Sequence, residues 1–199
     1  VNLDRAHWSR SERDRLLLTR ASLSFEAGDT TAAVGDLERV GGGVGELAAT
    51  ARVSLARWRL TQADQLADLA QVRTLLLPAV ASVEAQTLLN GIRRVELLVD
   101  YGLDGERVAF FGAAEMMRDV LGSRRLASAF FEVYSALDSA SPWSGKALLA
   151  AKSLVAQPSS RSSLDDRLGT LRENPYVRYT REGEGSAALG ELEGRLDLA

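Results

Sequence analysis

The sequence predicts an all-α protein made of antiparallel helical hairpins stacked in series, and three observations carry that prediction. Apolar residues recur at three- and four-residue spacing along nearly all of the chain. No segment keeps the strict alternation of a half-buried strand. Breaks marked by glycine or proline separate the periodic segments, and they are short enough that successive helices must lie side by side.

The first helix is expected over Ser11–Ala27, with Leu16, Leu17, Ala21 and Leu23 to Phe25 forming its apolar face. Gly28 stops it, because glycine takes the left-handed conformation without a Cβ penalty. Asp29 or Thr30 then caps a second helix carrying Ala33, Val34, Leu37 and Val40. Gly41 to Gly43 end that helix, and "ELAATARVSLARWRL" forms a third. Thr61 with Asp64 has the look of a short capping box opening a fourth, which runs to Pro78. "SVEAQTLLNGIRRVELLVDYG" is a fifth, ending at Gly102, and "ERVAFFGAAEMMRDVLG" a sixth, ending at Gly122. "RRLASAFFEVYSAL" is a seventh. Ser141 as cap and Pro142 at the first helical position start an eighth. "SSRSS" after Pro158 reads as a polar break, "LDDRLGTLREN" as a ninth helix closed by Asn174–Pro175, and "SAALGELEGRLDL" as a short last one. The organisation expected is an N-terminal extension (1–13), a hairpin array (14–158) and a C-terminal helix with an extended tail (159–199).

Composition bounds the function. The 199 residues carry a net charge of −3, which gives no general attraction to nucleic acid or acidic membranes. There is no cysteine, so disulfides, thiolate nucleophiles and cysteine–zinc sites are excluded. Only Lys146 and Lys152 among the 24 basic residues are lysines, a bias that fits a GC-rich bacterial genome. No apolar run reaches the ~20 residues that span a bilayer. The chain begins at Val1 rather than Met, which leaves room for a leader or lipid anchor upstream.

Two segments repeat one pattern. In "LLLTRASLSFEAGDTTAAVGDLERV" and "FFGAAEMMRDVLGSRRLASAFFEVY" a glycine (Gly28, Gly122) makes the turn. An alanine follows five residues later (Ala33, Ala127), and a large apolar residue four beyond that (Leu37, Phe131). The alanine lets two helix axes approach, and the large residue fills the gap to the next hairpin. This resembles the tetratricopeptide (TPR) helical hairpin, over about residues 14–60 and 108–178. "SPWSGKALLAA" resembles the proline-led start of a first helix in bacterial envelope TPR proteins, and "LRENPYVRY" a Pro–Tyr–Val segment that recurs in them. Residues 61–107 depart from the pattern, and Ser24 and Arg118 stand where the repeat usually has an aromatic. The resemblance implies a TPR-like solenoid acting as a non-enzymatic scaffold in the periplasm or at a membrane periphery. There it would be an accessory or assembly subunit of a membrane-associated complex: respiratory, photosynthetic, or an outer-membrane assembly machine. A cytoplasmic regulator binding a peptide or small ligand remains an alternative, as does a peptidoglycan-cleaving helical solenoid.

"GGGVG" (41–45) follows a helix, precedes another, and has no lysine nearby, so it reads as a connection and not as a phosphate loop. His7, the single histidine, sits in a polar N-terminal stretch unsuited to acid–base catalysis. Neither a carboxylate cluster with metal-ligand spacing nor a "GxSxG" elbow is present, so no catalytic, metal or cofactor residue is nominated. Arginine pairs Arg57/Arg59, Arg93/Arg94 and Arg124/Arg125 could line a groove for an acidic partner, or be solvated faces offset by neighbouring carboxylates. Trp58 reads as inter-helix packing and Trp143 as a staple or an exposed edge. Tyr176, Arg178 and Tyr179 combine the residue types enriched at interfaces. Either Tyr176 and Val177 fold back on the preceding helix, or the stretch from Arg178 to Glu184 extends onto another subunit. The partner expected is protein; nucleic acid is not.

Overall fold

A computed structural model of the chain describes residues 8–182. Among these residues the protein is all-α, about 80% helical, with each helix packed against its neighbours. The order is α1 (Arg10–Glu26), α2 (Thr30–Gly41), α3 (Glu46–Gln62), α4 (Leu66–Leu76) and a 3-10 turn (Leu77–Ala79). Then come α5 (Val83–Leu103), α6 (Val108–Asp119), α7 (Arg124–Leu137), α8 (Pro142–Leu154), α9 (Pro158–Thr170) and α10 (Pro175–Glu182). The chain divides within α5 into two compact units, 1–93 and 94–199. His7 and the helix expected over 186–198 lie outside the described residues.

In the first unit α1 starts a residue earlier than its periodicity predicts. Ser9 accepts from the Glu12 backbone N–H, and the Glu12 carboxylate accepts from the Ser9 N–H at 2.9 Å, closing a capping box. Gly28 turns the chain with φ +80°, and Asp29 caps α2 by accepting from Ala32 N–H at 3.0 Å. Leu17, Ala21, Ala33, Leu37, Val40, Ala51 and Leu55 then form one core across α1, α2 and α3. An ion pair joins Arg20 of α1 to the buried Asp36 of α2 beside it. "GGGVG" is the α2–α3 connection, as its context predicts; Gly45 takes φ +91°, and Arg52 donates to the Gly43 carbonyl at 2.9 Å. The fourth helix differs from expectation at its start. Thr61 belongs to α3, bonding the Trp58 carbonyl at 2.7 Å, while Gln65 and Asp68 form the capping box of α4.

In the second unit α6, α7 and α8 pack in sequence, and α8 also receives α9 and α10. Gly122 turns with φ +68°, and Ala127 and Phe131 behind it are fully buried, matching Ala33 and Leu37 in the first unit. Gly102 does not end α5. The helix runs to Leu103 and the chain reverses at Gly105 (φ +114°). Gly102 instead makes room for Phe110, whose ring a Cβ there would meet at 2.8 Å. "SSRSS" is not a break: Pro158 is the first residue of α9, where its missing N–H costs nothing. Asn174–Pro175 likewise separates two helices, because Asn174 accepts from Tyr176 N–H at 3.1 Å and starts α10.

Candidate functional site

The sequence-nominated residues Arg57 and Trp58 meet in one groove of the first unit. Three- and four-residue spacing puts Leu18, Ala21, Ser22 and Phe25 on one face of α1. The same spacing puts Thr50, Ser54, Arg57, Trp58 and Thr61 on the facing side of α3, with Leu37 of α2 as the floor. Together they enclose a groove of about 420 Å³. Small side chains (Ala21, Ser22, Ser54) leave the space, and two aromatics meet across it: Phe25 and the half-buried Trp58 lie with centroids 6.5 Å apart, tilted by 35°. The hydroxyls of Ser22, Thr50 and Thr61 donate to carbonyls of their own helices at 3.3, 3.0 and 2.7 Å, so those walls need no water partner. Ser54 and Arg57 form no hydrogen bond or ion pair with any described residue. Glu84 of α5 sits in the field of Arg57, and its carboxyl lies below the usual range chiefly through a hydrogen bond from Ser82 at 2.7 Å.

The remaining nominated residues divide between packing and plain exposure. Arg59 faces α2, pairing with Glu38 at 3.2 Å. Arg93 and Arg94 are exposed on α5. Arg124, at the start of α7, donates to the Ser153 carbonyl in the last turn of α8 at 3.3 Å, and Arg125 beside it is exposed. Trp143 is a packing residue: its ring lies 5.9 Å from Phe111 and 5.6 Å from Tyr176. Tyr176 and Val177 are each 3% exposed, and the helix that carries them packs back onto α8. Arg178 is exposed on α10, Tyr179 lies on the same helix, and residues 183 and 184 fall outside the described range.

Several residues of these sites carried no local signal. Phe25, Ser22, Thr50 and Ser54 become groove walls only through the offset between two hairpins. Lys146 stands out as one of two lysines, and its ammonium lies 4.8 Å from the Trp143 ring centre and 5.8 Å from those of Phe111 and Tyr176. The other lysine, Lys152, pairs with Asp165 of α9 at 2.6 Å. Both lysines of the chain therefore sit on α8 and hold a later element to it.

Among the described residues no three His, Cys, Asp or Glu side chains come together to hold a metal, and no helix is long and apolar enough to cross a membrane. No protein-family model, curated protein or solved structure matches the chain.

Proposed function

We propose that the protein is a non-enzymatic TPR-like scaffold of the bacterial envelope, which docks a segment of a partner protein in the α1–α3 groove. One observation carries the reading: the glycine turn, buried alanine and buried large residue recur in register at Gly28–Ala33–Leu37 and Gly122–Ala127–Phe131, in two separate units. A unit that recurs in this way is how a helical repeat builds a surface from the first helices of successive hairpins. The contact of α1 with α3, as well as with α2, supports the same arrangement in the first unit. The groove between them is concave, largely apolar and edged by Trp58 and Arg57, residue types enriched where interfaces concentrate their binding energy.

The envelope placement follows the TPR resemblance of "SPWSGKALLAA" and "LRENPYVRY", and the proposed partner is a subunit of a membrane-associated complex. Co-purification from native membranes tests the proposal. Tagged wild-type protein should fractionate with the envelope and retain one partner at constant stoichiometry. Trp58→Glu should lose that partner while keeping its helical circular dichroism. Recovery of the wild type in the cytosolic fraction, or retention of the same partner by Trp58→Glu, would sink it.

A further inference from the structure

We infer that the occupant of the α1–α3 groove is a short extended segment of the partner, apolar on its buried side, carrying one Asp or Glu side chain that pairs with Arg57. The inference rests on reading the groove as a docking site and adds the chemistry of what enters it.

Size sets the conformation. The α3 wall runs from Thr50 to Thr61, which at helical rise is about 16 Å, the span of roughly five extended residues. A trough of about 420 Å³ takes a few side chains at most, which a short extended segment supplies from one face. Ala21, Leu37, Phe25 and Trp58 give those side chains an apolar seat, and Ser54, with no hydrogen bond to any described residue, is placed to bond the incoming backbone.

Charge sets the composition. Among the described residues Arg57 is the single ionisable one in the groove lining, and no described carboxylate lies there with it. Its guanidinium is exposed and makes no ion pair with a described residue, so its donors are open to a planar carboxylate. The lining continues past Arg57 to Thr61, so a bound chain runs on beyond it. That favours a side-chain carboxylate over a chain terminus. Glu84 is the built-in competitor: it feels the charge of Arg57 without reaching it, and an incoming carboxylate displaces that weak attraction.

The test uses the full chain immobilised at low salt and three peptide pools. Two are acetylated, amidated pentapeptide pools with Leu, Val, Phe or Ala at four positions; the central residue is Asp or Glu in one and Asn or Gln in the other. The third is an all-apolar pool with free C-termini. The acidic pool should be retained at least ten-fold over the amide pool. Arg57→Gln, checked for fold by circular dichroism, should bring the two level, and Glu84→Gln should raise acidic retention two- to five-fold. Equal retention of the first two pools by the wild type, or no change in Arg57→Gln, overturns the carboxylate pairing while leaving the groove a docking site. Preference for the free-acid pool overturns the side-chain source. If no pool is retained, the docking reading falls together with this one.

Discussion

The Phe25 ring and the Trp58 indole face each other across the α1–α3 contact, their centroids 6.5 Å apart and their planes tilted by 35°. Each comes from late in its helix, and each belongs to a different hairpin. The pair therefore ties two hairpins together and lines the groove between them.

Trp58→Ala should thus lower stability as well as open the groove. Full removal of a buried aromatic costs about 3–5 kcal/mol, and half-burial scales this to roughly 1–3 kcal/mol. Trp58→Phe should recover most of the loss. Urea denaturation followed by circular dichroism reads both; an unchanged midpoint for Trp58→Ala would mean the rings do not couple the hairpins.

The two buried alanines should tolerate nothing larger. Ala33 and Ala127 are both 0% exposed. Leucine at either position should destabilise by about 1–3 kcal/mol through overpacking. Thermal melts check this, and neutral substitutions at both positions would break the equivalence of the two hairpins.

Helix content, most breaks and the Gly–Ala–large repeat were legible because each depends on local periodicity and one glycine geometry. What could not be read depended on partners distant in sequence. Gly102 looked like a helix stop because glycine usually is; its reason is the Phe110 ring packed on it. "SSRSS" looked like a break because nothing local shows that Pro158 stands at a first helical position. Arg57 and Trp58 were nominated from their residue types, but the small residues opposite them needed the hairpin offset. The ring contact of Trp143 with Tyr176 joins α8 to α10, which no local pattern shows.

Acid should fray helix starts that a carboxylate caps, those of α1 and α4 among them. The Glu12 carboxyl is held below its ordinary range by the Ser9 side chain and then its backbone, and that of Asp68 chiefly by the Asp64 backbone N–H. A folded-state pKa that is depressed stabilises at pH above the ordinary carboxylate range, and the benefit disappears as pH falls through the lowered value. Amide protection at the starts of α1 and α4, taken relative to the intrinsic exchange rate at each pH, should fall on acidification below pH about 4. Glu12→Gln and Asp68→Asn should flatten that dependence, each in its own helix. Protection that stays constant with pH in the wild type would contradict it.

Gly145→Ala should release α10. A Cβ there would strike the Asn174 side chain and approach Val177 to 3.0 Å, and Asn174 also holds the Ser141 carbonyl at 3.1 Å. Limited proteolysis should cut within 174–182 several-fold faster than in the wild type. Trp143 emission should shift to the red as Tyr176 leaves it, with the remaining helicity unchanged. Protection equal to wild type would show that α10 accommodates the methyl group.

The central claim is that the α1–α3 groove is where a partner docks, and position-resolved photo-crosslinking tests it most directly. A benzoylphenylalanine placed at Ser54 lies in the groove, while one at Arg39 lies on the exposed side of α2. In native membranes, irradiation should give one discrete adduct from position 54, none from position 39, and loss of the first when Arg57→Gln is added. Adducts of equal yield from both positions, or one from position 39 alone, would contradict the account.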